Sequence, residues 1–569
     1  MQKNNKYLAL TIGPIYRTIN SSQRTRMTWG ASFLFSFLIR ELTKLLKTGM
    51  LLDKVPHPGC KIAGTILIPY AEGIENDQCI AGEGKYPDRI LIHSEEGDFE
   101  KVQKAIEVLI GFLAGKIADH LNVGKEVVQI EKDLTDYLQF YFIEKEVGEK
   151  ENALLSLYGD LDVLELRSNY LAYDSKNYLF RYLFYLSIRR KDKEYSLLAK
   201  EAFPDKKNKR FRSLIEISTA GFSAIKKEKY DELIYDCFIR PAEKDDLNFL
   251  SSFRKDPFND DDEWQDIFIS KLKKIPEFSD RYKKTHQYFA VIYADGDNIG
   301  QTLGKIGNDD EKLKVFSKKL LDFDSEVVTT INNYGGAPVY IGGEDIFAFV
   351  PLASIEDDTH VTIFNLTNSI DDAFGRYFTQ EYADSLGVIR PTLSFGIAIA
   401  YFRNPLSETM EMAHDLLGKA KKVDGKNAIE LILEEHSGQQ FRMSVQKGKE
   451  NSYNAICTLI KSLTATVFST EKEDEQEKIF INSITHKLKD PLFKALLLSV
   501  ADDHLRLDEF FNNSFNEPIH KGEMKPYIDQ VKALVKTIFS DYCDDETRID
   551  NLYSTLRLID FMHKNPKDE

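Results

Sequence analysis

The chain has 569 residues, 42% of them hydrophobic and 29% charged, and a net charge of −16 at pH 7. That length is too great for one core and predicts three or four domains, and the apolar share is ample to fill them. The acidic balance excludes a general nucleic-acid-coating surface, while leaving room for a local basic channel or for nucleic acid held through partner subunits. The 5 cysteines form no CxxC pair and no framework, which reads as a reducing cytoplasm. There is no apolar run of about 18 residues to span a membrane. The start, Met1-Gln-Lys-Asn-Asn-Lys6, leads straight into a strand and carries no signal peptide.

Residues 7–15 read as a strand ending at Gly13-Pro14. A polar turn with Gln23-Arg24-Thr25-Arg26 follows, then an apolar helix through Trp29, Phe33, Phe37, Leu38 and Leu45. Arg24 and Arg26 are candidates to touch phosphate or RNA, set against the plainer reading of a solvated turn. Gly64–Pro69 and Asp88–His93 are strand candidates around a Gly-rich loop. Val102, Ala105, Ile106, Ile110 and Leu113 keep helical spacing within 98–122, and Leu138–Ile143 is a further strand candidate. Residues 150–280 read as mainly helical, with charged runs at 190–210 and 241–263 as solvated faces or loops; the acidic run Asp256–Glu263 reads as a surface loop.

The central stretch carries the chemistry. Tyr288–Tyr293 is an apolar run of a length that suits a buried strand, and it ends in Ala294-Asp-Gly-Asp-Asn-Ile-Gly300. Leu313, Phe316, Leu320, Phe323, Val327 and Ile331 recur at steps of three and four, which predicts a helix stopped by Asn332-Asn-Tyr-Gly-Gly336. Ala337–Val350 then reads as two short strands joined by a tight turn, Gly342-Gly343-Glu344-Asp345. Stacked side by side, these strands would gather Asp295, Glu344 and Asp345, with Asp297 nearby. Two like charges about 4 Å apart repel by roughly 4 kcal/mol at an effective dielectric of about 20. A divalent cation removes that cost, and hard oxygens from two strand ends suit Mg²⁺. Two such ions would clamp the attacking and leaving oxygens of a phosphoryl or nucleotidyl transfer.

Pro391–Ala400 is another strand candidate. Ser407 is a plausible N-cap for a helix with Ala413, Leu416, Leu417 and Ala420 on one side. That helix runs into Lys419-Ala-Lys-Lys-Val-Asp-Gly-Lys-Asn427. Lys422 and Lys426 sit four apart beside Gly425, placed to grip a triphosphate; a lysine-rich helix end also suits the helix dipole. His414-Asp415 falls inside this helix and reads as a surface or packed pair. In residues 436–569, Ile456, Leu459, Ile460, Leu463 and Val467, then Leu492, Ala495 and Leu496, then Val531, Leu534, Val535 and Ile538 form core-facing stripes of a terminal helical bundle.

Together, Asp295-Gly-Asp297, Gly342-Gly-Glu-Asp345 and Lys422-x-x-Gly-Lys-Asn427 resemble the palm domain shared by GGDEF nucleotide cyclases and the large subunit of type III CRISPR effector complexes. Asp295-Gly-Asp-Asn-Ile-Gly300 and the Asp345-Ile346 step favour the CRISPR subunit, since the cyclase pattern would place Glu-Phe after the first acid of the turn. Ala9–Ile15, Gln23–Arg26 and Trp29-Gly-Ala-Ser32 resemble the type III-B (Cmr) branch. The likeness covers about 281–435 and, less closely, 1–145. Glu344 departs from the family's usual Asp but remains a carboxylate with a longer reach.

The resemblance implies an α+β chain with two ferredoxin-like palm domains plus helical connecting and C-terminal helical-bundle domains. Residues 1–149 would be a degenerate palm without the acidic turn, and 150–280 a helix-rich connecting domain. The family often has a four-cysteine zinc site in that region; only Cys237 lies there, so no zinc is expected. Residues 281–435 would be the catalytic palm, and 436–569 the bundle that in the family docks small helical subunits near RNA. No HD-type nuclease domain precedes the first palm strand, so no metal-dependent DNA cleavage is expected. The implied catalytic residues are Asp295, Glu344 and Asp345; with the Gly296 carbonyl they would hold two Mg²⁺ or Mn²⁺ ions. Asp297, Asn298, Gly342, Gly343, Lys422 and Lys426 would bind nucleotide. The implied activity is a target-RNA-activated nucleotidyltransferase on ATP, making cyclic oligoadenylate or joining AMP to S-adenosylmethionine. The implied partners are other Cmr subunits, guide RNA and target RNA, in the cytoplasm and with no membrane. The alternatives are a scaffold subunit with a weakened palm and a stand-alone diguanylate cyclase.

Overall fold

The computed structural model describes residues 5–20, 25–52, 54–77, 82–121, 123–148, 151–166, 197–203, 211–239, 262–356, 359–464, 483–500, 502–516, 518, 522 and 525–563. Strand β1 (Asn5–Gly13) alternates between two cores, as a pleated strand must. Leu8, Leu10 and Ile12 face the helices Thr25–Thr48 and Asp98–Leu121, while Tyr7 and Ala9 face a second core shared with the centre of the chain. With β2 (Thr65–Ile68), β3 (Arg89–His93) and β4 (Gln139–Val147) it makes an antiparallel sheet ordered β2-β3-β1-β4. The helix Ala153–Glu165 covers the other face through Leu154, Leu157 and Leu161.

The central sheet repeats that arrangement and extends it. Its strands are β5 (Tyr288–Asp297), β6 (Ala337–Gly342), β7 (Asp345–Pro351), β10 (Thr392–Tyr401), β11 (Ala428–Glu434) and β12 (Gln440–Gln446), ordered β12-β11-β10-β5-β7-β6. A small hairpin, β8 (Ala353–Glu356) and β9 (Thr359–Thr362), stands apart from it. In both sheets the first strand of the unit lies between its third and fourth, which is the ferredoxin-like order. Residues Tyr288 to Ile292 of β5 are all fully buried, because helices or neighbouring units cover both faces. The helix Leu406–Ala420 makes the crossover from β10 to its parallel neighbour β11.

Neither edge of this sheet is bare. On β6, Gly84 of the N-terminal unit donates its N–H to the Val339 carbonyl (3.0 Å) and accepts from the Ile341 N–H (2.7 Å). On β12, Asn551 of the helix Asp545–His563 accepts from the Ser444 N–H (2.9 Å) and donates to its carbonyl (2.7 Å), and the Tyr542 hydroxyl accepts from the Gln446 N–H (2.9 Å).

Several expectations change here. Strand β12 lies in the stretch read as helical, and it pairs with β11 in the central sheet. Leu492 and Leu496 are 67% and 48% exposed, and Ala495 is exposed too. Their helix, Pro491–Val500, packs through Leu497 instead. The helix Leu406–Ala420 begins one residue before Ser407, after Pro405, so Ser407 is not its cap. Arg26 is buried in the first turn of its helix, not solvated. Arg24, Val467, the run 241–261 and most of 190–210 lie outside the described residues. Among the described residues no helix is long and apolar enough to cross a membrane.

His286, just ahead of β5, shows how burial sets a pH response. It is 2% exposed, and its Nδ1 accepts from the Lys283 N–H at 2.9 Å. Burial holds its pKa down at about 3, against an ordinary 6.5. The unfolded chain then binds the proton more readily, so the neutral ring's contribution is complete above about pH 6.5 and is lost as pH falls toward 3. Between pH 7 and pH 5 that loss is on the order of 2 kcal/mol. The expected result is a flatter fall of Tm with acid in His286→Gln than in the wild type; parallel slopes would refute it.

Candidate active site

The register of the central sheet places the acids. Ala294 of β5 pairs with Ile346 of β7, so Asp295 and Asp345 stand at adjoining strand ends. Gly342 pairs with Asp345, which leaves Gly343 and Glu344 as a two-residue hairpin loop. Gly343 has φ +74°, the conformation a tight hairpin needs at its first loop position and that side chains resist. Gly296 is glycine for a different reason. A Cβ there would lie 2.7 Å from the Glu344 Cβ and 2.7 Å from Ile299 Cγ1, so the end of β5 lies directly against the Glu344 stem.

The acids disturb each other. Loss of water, then the nearby Asp295, pushes Glu344 up to about 7. Asp345 is raised well above the ordinary carboxylate range by its packed surroundings and by the charges of Glu344 and Asp295, although its side chain still reaches solvent. Burial raises Asp295 as well, opposed by Lys421. This is the crowding that a cation relieves.

The cation present is a lysine that the motif reading passed over. Lys421 Nζ lies 3.1 Å from Asp295 Oδ1 and 3.1 Å from Asp297 Oδ1, and donates to the carbonyls of Asp295 (2.9 Å) and Gly296 (2.6 Å). Lys422 is exposed, and Lys426, half-buried at φ +52°, is near enough to act on Asp295. If the site turns nucleotide over, Lys421→Ala is expected to lower that turnover more than Lys422→Ala, by about tenfold for one lost charge contact. Equal effects in parallel kinetics would return the role to Lys422.

Asp297, expected on nucleotide, is fully buried and held by the protein. Its Oδ2 accepts from Thr392 Oγ1 (2.9 Å), Ser394 Oγ (2.8 Å) and the Asn427 N–H (3.0 Å). It thereby ties the end of β5 to β10 and to the loop after the lysines. Asn298 has φ +63°, and its carbonyl accepts from the Thr302 N–H to start the helix Ile299–Ile306.

A cavity of about 420 Å³ opens beside the acid turn. Leu303 and Leu320 line its central side, Pro69 and Tyr158 the N-terminal side, and Gly343 and Glu344 its rim. Arg89, also on the wall, is committed to Asp162 and Glu165 and lies over the Tyr158 ring.

The donor chemistry suits a divalent cation. The Lys421 ammonium already sits where the Asp295 carboxylate and Gly296 carbonyl converge, and every nearby donor is a hard oxygen. Among the described residues, however, no three His, Cys, Asp or Glu side chains converge on one point. Asp295, Glu344 and Asp345 are neighbours at one end of the sheet.

A ferredoxin-like sheet with carboxylates at its first strand end and at its central hairpin turn defines a palm-type domain. Residues 288–430, a quarter of the chain, match the family model described as Cas10/Cmr2, second palm domain. The CRISPR system Cmr subunit Cmr2 of Pyrococcus furiosus is 26% identical over 208 residues, which is 31% of this chain and 22% of that protein. The match thus spans about a fifth of that relative's length. A chain of type III-B Cmr-beta bound to cognate target RNA superposes with a TM-score of 0.53 at 11% identity, covering 99% of this chain and 84% of that one. A chain of apo Cmr-beta gives 0.50 at 11% identity, over 87% and 77%. At that identity these two likenesses speak for the fold.

Proposed function

We propose that this chain is the nucleotidyltransferase subunit of a type III-B CRISPR effector complex, acting on ATP when target RNA is bound. The observation that carries the reading is the placement of Asp295 and Asp345 at adjoining strand ends, beside a cavity of about 420 Å³ whose wall includes Glu344 and Asp345. Residues 281–435, extended to β12, are the catalytic palm, and 1–149 the degenerate palm that supplies the far wall of the cavity. Residues 150–280 connect the two, and the C-terminal helices form the docking bundle. Partner subunits, guide RNA and target RNA complete the assembly, in the cytoplasm.

Asp295, the Gly296 carbonyl, Glu344 and Asp345 would hold Mg²⁺ or Mn²⁺, which supplies charge to activate the attacking hydroxyl and to stabilise pyrophosphate. The protein's own part is placement. Gly342 and Gly343 let the backbone approach the triphosphate closely, with Asn298 at the adjacent helix start. Lys421, Lys422 and Lys426 neutralise the leaving pyrophosphate. A ribose hydroxyl of one ATP attacks the α-phosphorus of another; the new P–O bond forms as the bond to pyrophosphate breaks, and the hydroxyl proton passes to solvent. Repetition gives linear and then cyclic oligoadenylate, a second messenger. S-adenosylmethionine is the other candidate acceptor.

The test is product analysis by mass spectrometry on the complex with guide and target RNA, ATP and Mg²⁺ or Mn²⁺, with and without S-adenosylmethionine. A target-dependent adenylate product supports the reading and names the acceptor. No product favours the scaffold reading, which draws on the non-convergent acids and on Glu344. A product from GTP would point to the diguanylate cyclase.

A further inference from the structure

Beneath the acid turn lies a buried carboxylate that the proposed reaction does not use. Asp324 belongs to the helix Asp310–Asn333, on a face otherwise built from Phe316, Phe323, Val327 and Ile331. It is 1% exposed. Its Oδ2 accepts from the Gly343 N–H at 3.0 Å, and its Oδ1 has no hydrogen-bond partner. Burial raises its carboxyl well above the ordinary range, opposed by the Gly343 N–H and Lys85 and reinforced by Glu344 and Asp345.

A carboxylate is an expensive residue for such a place unless it does something an apolar side chain cannot. The hairpin explains what that is. The strand ladder ends at the Gly342–Asp345 pair, and the two loop residues beyond it receive no support from the ladder. Gly343, at φ +74°, has the freedom of a glycine and no side chain to pack. Its N–H is held from below by Asp324. Glu344, which follows immediately, takes its position from that anchor, while Asp345 is held by its ladder pair with Gly342. Asp324, Gly343, Glu344 and Asp345 all lie on the wall of one cavity, so a loose turn would misplace the acids against whatever the cavity holds.

We propose that Asp324 is a positioning residue, which fixes the Gly343–Glu344 turn through the Gly343 N–H and so presents Glu344, beside the ladder-held Asp345, at the nucleotide site. This rests on the nucleotidyl-transfer reading, but its test does not depend wholly on it. The variants are Asp324→Ala, which removes the acceptor, and Asp324→Asn, which keeps an acceptor oxygen of the same reach. The readouts are amide hydrogen exchange over 342–346, Mn²⁺ binding by calorimetry with no nucleotide present, and kcat and KM for ATP in the assembled complex.

In Asp324→Ala, exchange over the turn is expected to quicken by about tenfold and Mn²⁺ affinity to fall by a similar factor. There kcat should drop by about tenfold or more, with KM for ATP changed by less than about threefold. Asp324→Asn should restore all three. Unchanged exchange and Mn²⁺ affinity in a folded Asp324→Ala would overturn the proposal. So would an Asp324→Asn variant that loses turnover while its turn exchanges as in the wild type, because the charge and not the anchor would then matter. If Asp324→Ala does not fold, Asp324→Asn still decides: wild-type exchange with wild-type turnover supports the anchor, and wild-type exchange with lost turnover overturns it. If the wild type makes no nucleotide product, the enzyme reading falls, while exchange and Mn²⁺ binding still judge the anchor.

Discussion

Asp345→Ala will reduce ATP-dependent product by on the order of 10²–10³-fold and will leave the unfolding temperature unchanged or slightly higher. The two halves of that result have one cause. Asp345 stands against Glu344 and Asp295, and its carboxyl is raised well above the usual range by loss of water and by those charges. Removing it relieves repulsion in the folded protein while taking away a group that the proposed nucleotidyl transfer would need. Its side chain reaches solvent, so no cavity is opened. Product should be quantified by mass spectrometry and stability by thermal melt on the same preparation. Undiminished product sinks the assignment; activity and stability lost together would mean that Asp345 serves the fold.

Gly396→Ala will be the most destabilising small substitution in the central sheet. Gly396 lies in β10 beneath the crossover helix Leu406–Ala420. A Cβ there would sit 2.2 Å from the Leu417 nitrogen and 2.3 Å from the Ala413 carbonyl oxygen. Both are backbone atoms of a helix, so no flexible side chain can yield, and the whole helix must lift. Overpacking of this kind costs about 3 kcal/mol or more. The same helix leads into Lys421, Lys422 and Lys426, so KM for ATP should rise as well. A Tm within about a degree of the wild type would show that the helix does not rest on the sheet as described.

The acids were legible in the sequence because each sits in a short contiguous motif at the end of an apolar run. Asp295 lies near the end of β5, and Glu344-Asp345 sits at the turn into β7, so strand pairing brings them to one end of the sheet. The long helices were legible from periodicity, which spans several turns. What failed was anything decided by contacts distant in sequence or by the last turn of an element. Lys421 was passed over because the motif spacing pointed to Lys422, and the helix stops at Ala420, where helical phase no longer tells which lysine turns inward. Asp297 looked like a partner for nucleotide until Thr392, Ser394 and Asn427, all far along the chain, were found to hold it. Asp324 reads from sequence as one more charge on an amphipathic helix. Strand β12 had a readable signal, since Phe441, Met443 and Val445 alternate with polar residues and are the buried positions. Leu492 and Leu496 mislead because periodicity reports an apolar face and not whether anything covers it.

The closed margins of the central sheet bear on how the chain behaves outside its assembly. A sheet with a bare outer strand invites another strand to pair with it, and that is a common route to self-association and fibres. Here Gly84 occupies one margin with backbone hydrogen bonds, and Asn551 and Tyr542 occupy the other with side chains. Both guards come from far outside the catalytic residues in sequence. A fragment cut to the palm alone would keep its carboxylates and its cavity rim but would expose raw strand on both sides. Its solubility would then depend on segments outside the palm, and those segments must be retained in any attempt to isolate it.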